Sequence, residues 1–244
     1  MATIQIKIQR KIFRSGRDDN PVIADLEISL ASGEFVCLVG PSGCGKTTLL
    51  NIIAGLDDDF DGEIINAQAH ATPKIGYVFQ NPRLLPWRTV RENLELVTHE
   101  SQAPELIDTL LETMQLTEFQ HSYPERLSLG MCRRVAIIRG FIVNPDILLM
   151  DEPFVSLDAP TARLVRKQLI QLWQQRPHSV LFVTHDLREA IALADRIVFL
   201  SATPMHVLGE VTVPISRNNR DAESEIEQFR QQLLNHNPEI NRLL

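Results

Sequence analysis

Gly40-Pro41-Ser42-Gly43-Cys44-Gly45-Lys46-Thr47-Thr48 is the stretch on which the reading of this chain turns. It fits G-x-x-x-x-G-K-[ST], a loop whose backbone N–H groups converge on phosphates. Its surroundings are those the motif needs. The apolar run Phe35 to Val39 precedes it and Leu49-Leu50-Asn51-Ile52-Ile53-Ala54 follows, so the order is strand, turn, helix. Gly40, Gly43 and Gly45 let the main chain take positive φ and approach an anion with no Cβ in the way. A helix starting near Lys46 turns the positive end of its dipole toward the ligand. Lys46 then neutralises β and γ phosphates, and the Thr47 hydroxyl is placed to ligate Mg²⁺. The plainer alternative is a glycine-rich turn leading an exposed lysine into a helix. Eight matching positions in the right strand-to-helix context argue against it.

The chain has 244 residues, enough to bury a real core, with 23% charged and 44% hydrophobic residues as in an ordinary folded protein. A formal net charge of −7 offers no basic field, so nucleic acid is excluded as an expected partner. No uninterrupted apolar segment approaches the roughly 20 residues that span a bilayer. Met1 to Lys7 alternates like a strand and shows no signal-peptide block, so a cytosolic protein is expected. Cys37, Cys44 and Cys132 lack C-x-x-C spacing and read as reduced thiols with neither disulfide nor zinc role.

Ile4, Ile6 and Ile8, and later Val22, Ile23, Leu26, Ile28 and Leu30, have the period of half-buried strands, with Arg14 to Pro21 as a polar turn between them. Leu56-Asp57-Asp58-Asp59-Phe60-Asp61-Gly62 reads as a solvated acidic turn, since it lacks the spaced ligands of a calcium loop. Lys74 to Gln80 returns to strand character. Two prolines make Asn81 to Arg88 irregular, and Thr89-Val90-Arg91-Glu92 is a capping box that opens a helix. Leu106, Ile107, Leu110, Leu111 and Met114 form a helical stripe, and Ser128 caps a third helix to about Val143. Residues 81–143 thus read as a helical subdomain inserted in an alternating chain. Asp146 to Met150 has the look of a strand buried on both faces, with Asp151-Glu152 at its C-terminal end, the edge where open α/β sheets place ligands. A helix from Pro160 to Arg176 puts Leu164, Val165, Leu169, Leu172 and Trp173 on one face. Ser179 to Thr184 is another buried strand, ending in His185, and Asp186-Leu187-Arg188-Glu189 reads as a second capping box. Residues 216–244 form a short tail with Ile226, Phe229 and Leu233 as a modest amphipathic helix.

A phosphate loop alone leaves kinase, GTPase and motor ATPase open. Asp151, at the end of an apolar strand, supplies a carboxylate that can hold Mg²⁺ directly or through water, and Glu152 can orient and deprotonate an attacking water. With Leu127-Ser128-Leu129-Gly130-Met131 added, residues 4 to 215 resemble the nucleotide-binding subunit of an ATP-binding cassette transporter. Gly40 to Thr48 resembles the Walker A loop, Gln80 the Q-loop glutamine, Leu127 to Met131 the signature, and Ile147 to Glu152 the Walker B strand with its catalytic glutamate. Ser156-Leu157-Asp158 resembles the D-loop, His185 the switch histidine, and Phe13 the aromatic that stacks on adenine.

The resemblance implies an α/β fold: a P-loop NTPase (RecA-like) core with an antiparallel β subdomain and an inserted α-helical subdomain, residues 1–244 making one nucleotide-binding domain. It implies ATP and Mg²⁺ as cofactors, with Thr47, Gln80 and Asp151 toward the metal. Glu152, His185 and Gln80 would act in hydrolysis. Residues 40–48, Phe13, Ser128, Gly130 and Asp158 would contact nucleotide, the signature of one copy closing over ATP held by a second copy. Two transmembrane permease subunits and, indirectly, a periplasmic or lipoprotein solute-binding protein are the implied partners, at the cytoplasmic face of the plasma membrane. Leu129 departs from the family's glycine, restricting the backbone and adding bulk, which predicts reduced but real hydrolysis. Leu84 to Asn93, together with Pro204 and Pro214, resembles the nitrate, sulfonate and taurine import group. Two alternatives stay open: a soluble cassette ATPase outside transport, and a hydrolysis-impaired regulatory subunit.

Overall fold

A computed structural model describes residues 2–15, 18–66, 73–98, 103–220 and 222–243. They fall into two compact units, the first made of Met1–Thr72 with Ser179–Leu244 and the second of Pro73–His178.

In the first unit, β1 (Ala2–Ser15) pairs antiparallel with β2 (Asp18–Ala31) on one side and β4 (Asp61–Asn66) on the other. Both long strands run through most of the segment expected as a polar turn. Phe13 pairs with Asn20 and Ser15 with Asp18, so only Gly16 and Arg17, outside the described residues, remain between the strands. Ile4, Ile6 and Ile8 face inward as the alternation predicts. The register then slips between Ile8 and Arg10, and Lys11 turns into the protein where strict alternation would place Arg10.

The other sheet of this unit orders its strands β7-β3-β8-β9. β3 (Phe35–Val39) is parallel to β7 (Ser179–Thr184) and to β8 (Arg196–Leu200), while β9 (Val207–Thr212) runs antiparallel to β8. All residues of β3 and β7 are buried, the condition that makes such strands almost wholly apolar. Hydrogen bonds from Ala24 N–H to Met205 O (3.0 Å) and from Met205 N–H to Val22 O (2.8 Å) stitch β2 to the loop before β9. Helix α1 (Lys46–Ile53) leaves β3 through the glycine-rich loop.

The acidic segment after α1 is not a free turn. Lys11, 2% exposed, donates to Asp57 Oδ1 and to Asp59 O, both at 2.7 Å, so the loop is folded onto a buried ammonium. Burying a lysine is tolerable only with such partners. The chain closes this unit with α6 (Leu187–Leu193), α7 (Glu223–His236) and α8 (Pro238–Leu243). Ile226 and Leu233 are buried, as the tail's periodicity predicts, and a second short helix follows.

In the second unit, β5 (Ile75–Val78) and β6 (Ile147–Asp151) form a parallel pair. Helices α2 (Val90–Glu95), α3 (Ala103–Thr113), α4 (Leu129–Ile142) and α5 (Ala159–Gln175) pack on one another, and α4 lies on β5. That approach is close. A Cβ on Gly76 would meet Gly140 O at 2.5 Å, and one on Gly140 would meet Val78 Cγ2 at 2.9 Å. The Thr89 capping box forms, with both reciprocal bonds present. On α5, Val165, Leu169 and Leu172 are buried as expected, but Leu164 is exposed, and the helix opens at Ala159, one residue before the expected start, with Asp158 as its cap.

Candidate nucleotide site

The loop of residues 40–48 takes its shape from three glycines used in different ways. Gly43 (φ 79°) and Gly45 (φ 112°) lie in the left-handed region that an L side chain resists. Gly40 does not, contrary to the expectation that all three would. It is needed for room, because a Cβ there would sit 3.0 Å from Leu200 Cβ. Lys46, 6% exposed, donates to Gly40 O at 2.9 Å and Pro41 O at 2.8 Å. The ammonium is thereby fixed over the loop by the backbone it serves, at the start of a helix whose first-turn N–H groups point the same way. Thr47 is exposed beside it. Cys44 is buried, its thiol raised by desolvation against the opposing pull of Lys46, so it remains an uncharged packing group.

Because Val39 pairs with Thr184 across the parallel β3/β7 register, Gly40 and His185 leave the sheet at the same edge. His185 is exposed. The helix after it starts by another arrangement than the expected capping box. Asp186 accepts from Arg188 N–H at 2.8 Å, Thr184 Oγ1 accepts from Asp186 N–H at 3.0 Å, and Glu189 Oε2 accepts from the Thr184 hydroxyl at 2.7 Å. The threonine ending β7 thus interposes itself where Glu189 was to reach back, and it locks the turn that carries His185. Phe13 is 48% exposed, and the Lys11 ammonium lies 4.9 Å from its ring centroid.

The second unit repeats the same logic. Val78 pairs with Met150, so Gln80 and Glu152 emerge at one edge of the β5/β6 pair, and Gln80 Nε2 donates to Glu152 Oε2 at 3.5 Å. Asp151 is buried at the strand end, and its charge is felt by Tyr77, whose phenol is pushed up first by burial and then by this carboxylate. Glu152 has φ 43° and Ser156 φ 65°. Such a conformation costs a non-glycine residue about 1–3 kcal/mol and persists where the surroundings over-determine it. The irregular segment after Gln80 is held by Arg139, which donates to Arg83 O at 2.9 Å and Pro82 O at 2.8 Å.

Gly130 and Asp158 both lie against Thr161, and Ser128 opens the helix that carries Gly130. Ser128 caps α4 by accepting from Met131 N–H at 3.3 Å, and it is exposed. A Cβ on Gly130 would meet Thr161 Cγ2 at 2.6 Å. Asp158 accepts from Thr161 N–H at 3.2 Å, and hydrogen bonding from the Thr161 hydroxyl first and this N–H second holds its carboxyl below the ordinary range. Leu129 is the first helical residue of α4, a conformation any L residue adopts, and its side chain is 44% exposed. The anticipated backbone restriction at Leu129 is therefore absent, and only its outward bulk remains.

Two residues that sequence reasoning passed over belong to these groups. Lys11 lies beneath Phe13, and Arg133 donates to Glu152 O and Val155 O. A strand slip hid the first and a helix interior the second. Each unit by itself offers groups that phosphate or a hard cation would take, an ammonium and a hydroxyl in the first and a buried carboxylate and an amide in the second, and among the described residues no cluster of three His, Cys, Asp or Glu forms a dedicated metal cage.

Residues 23–155 match the ABC transporter family. The chain is 41% identical over 223 residues to "Aliphatic sulfonates import ATP-binding protein SsuB" of Bacillus cereus, covering 88% of this chain and 89% of that one. It is 39% identical over 220 residues to "Aliphatic sulfonates import ATP-binding protein SsuB 1" of Pseudomonas savastanoi pv. phaseolicola, covering 89% and 90%. A similar solved structure is that of the ATP-binding cassette MJ0796, described as dimeric, in a post-hydrolysis state and bound to ADP and Pi. It has a TM-score of 0.74 and 29% identity and covers 87% of this chain and all of that one. With its phosphate loop, its acidic strand end and these relationships, the chain belongs to the ABC transporter family.

Proposed function

We propose that this chain is the ATP-binding and ATP-hydrolysing subunit of an importer for small sulfonate-like solutes, acting as a pair of identical copies beneath membrane permease subunits. The observation that carries the reading is the 40–48 loop, with Lys46 fixed over its own carbonyls, in a chain that aligns over most of its length with aliphatic sulfonate import ATP-binding proteins. The dimeric cassettes it resembles support the pairing of copies. No helix among the described residues is long and apolar enough to cross a membrane, so the spanning path is assigned to partner subunits at whose cytoplasmic face this chain docks.

The roles follow from the chemistry of each group. In the first unit, the N–H groups of residues 42–48 and the Lys46 ammonium bind the β and γ phosphates, and Phe13 offers an exposed ring to the base. His185 serves as a hydrogen-bonding group toward the terminal phosphate. In the second unit, Glu152 orients the attacking water and takes its proton. Ser128 and the N–H groups opening α4 receive the terminal phosphate of the other copy's nucleotide, with Gly130 keeping the helix low on Thr161 and Asp158 shaping the flank. Thr47, Asp151 and Gln80 are the residues that would hold Mg²⁺, which when bound neutralises charge on the phosphoryl oxygens. Binding draws the copies together, and attack of water on the terminal phosphoryl group, with ADP as leaving group, cuts the covalent bridge so that departure of inorganic phosphate lets them separate.

The test is transport itself. The chain co-reconstituted with its membrane subunits and a solute-binding protein should take up an alkanesulfonate in proportion to ATP consumed, and Lys46→Ala should abolish both together with nucleotide binding. Uptake that persists with Lys46→Ala would refute the assignment of the loop.

A further inference from the structure

Arg133 lies one turn into α4, is 5% exposed, and spends both terminal nitrogens on a single turn of another segment. Nη1 donates to Glu152 O at 3.4 Å and Nη2 donates to Val155 O at 3.0 Å. Glu152 O accepts in addition from Val155 N–H at 3.2 Å, so the carbonyls at both ends of this turn are tied to the same planar fork. A guanidinium is costly to bury, and a side chain that flexible is held only where the contacts repay its ordering. Here the contacts fall on the residue whose φ of 43° is unfavourable for glutamate. The same helix opens with Ser128.

We propose that Arg133 is a positioning residue for hydrolysis: its buried guanidinium holds the Glu152–Val155 turn to the helix that opens with Ser128, and so sets the aim of the Glu152 carboxylate. This rests on the reading of Glu152 as the group that activates water. Gln80 meets the carboxylate of Glu152 and Arg133 meets its backbone, so between them both ends of the residue are constrained. The helix end offered to the other copy's nucleotide and the base acting on this copy's own nucleotide then share one rigid connection. Arg133 is a buried group that acts only through Glu152.

The experiment uses the full chain assembled with its membrane subunits, with ATP affinity and single-turnover hydrolysis measured separately. Arg133→Met should lower the hydrolytic rate by about 10²-fold, the usual effect of misplacing a catalytic group by about 1 Å, while leaving the ATP dissociation constant within about twofold. Arg133→Lys should recover part of the rate. Where methionine prevents folding, Arg133→Gln carries the same comparison. Added to Glu152→Gln, either variant should produce no further loss, since the arginine acts through the carboxylate. The same fractional loss in the Glu152→Gln background, or an unimpaired rate for Arg133→Met beside an inactive Glu152→Gln, would overturn the inference alone. Hydrolysis by Glu152→Gln at the wild-type rate would remove the base assignment, and this inference with it.

Discussion

Glu152 Oε2 lies 3.5 Å from Gln80 Nε2 although the two residues are 72 positions apart, because Val78 and Met150 share a parallel register and the next residues of both strands leave at one edge. In the function proposed above the amide is a ligand to Mg²⁺ and the carboxylate is the group that acts on water. Glu152→Gln should therefore preserve shape and the Gln80 contact while removing the base. ATP binding should stay near wild type, turnover should fall by about 10²–10⁴-fold, and the chain should accumulate as a dimer in MgATP. Size-exclusion chromatography with nucleotide, beside a phosphate-release assay, reads both. Fast release or a persistent monomer would count against the assignment.

Lys11 should matter most to stability. Its ammonium is closed in by Asp57 and Asp59 O, and Lys11→Met leaves the largely covered Asp57 carboxylate without its cation. Removing one partner of a buried pair costs about 3–5 kcal/mol, and the partial exposure of Asp57 places this case near about 3 kcal/mol. Asp57→Asn keeps a hydrogen-bond acceptor, and the Asp59 carboxylate 3.6 Å from the ammonium still balances its charge, so this variant should lose about 1 kcal/mol. Urea denaturation decides it, and a loss for Lys11→Met no greater than for Asp57→Asn would show that the ammonium does not hold the loop.

Leu129 presents its side chain outward from the first turn of α4. Leu129→Gly should cost less than about 1 kcal/mol, because a first-turn residue carries only part of the helix-interior penalty. If its bulk hinders closure against a second copy, turnover of the assembled transporter should rise. An unchanged or lower ATPase rate in that variant would dismiss the hindrance.

Glu227 on α7 is hydrogen-bonded first by Arg230 and then by Arg188 of α6, which hold its carboxyl down to about 2 from an ordinary 4.5. A carboxyl lowered on folding stabilises the protein above its unfolded pKa, and that contribution disappears as pH falls from about 4.5 toward about 2. The pair is open to solvent, so the effect is small. Urea midpoints of wild type and Glu227→Gln should differ at pH 6, draw together below about pH 4.5 and converge only near pH 2, and a difference that is independent of pH would show that charge is not the cause.

Much of the fold is legible because its signals are local. Phe35–Val39 and Ser179–Thr184 are uniformly buried and almost wholly apolar, the mark of strands covered on both faces, and the 40–48 loop needs only adjacent residues to bend. Thr89 and Glu92 cap a helix from three positions apart, and both bonds formed as read. Where a local pattern had a longer-range competitor, the reading failed. Glu189 has the spacing of a capping-box partner for Asp186, yet the Thr184 hydroxyl ending the preceding strand takes its carboxylate.

The order of motifs, the buried strands and the phosphate loop were determined by the amino-acid sequence by itself, since each depends on neighbours within a few residues. Tertiary structure alone decided which distant groups became partners. A one-residue slip in β1 buried Lys11 over the acidic loop, the parallel register brought Gln80 to Glu152, and the packing of α4 set Arg133 on the carbonyls of the turn that begins at Glu152. Register, slips and burial depend on the free energy of the whole packed chain, in which a single residue's displacement turns a side chain from solvent to core, and no short stretch carries that information.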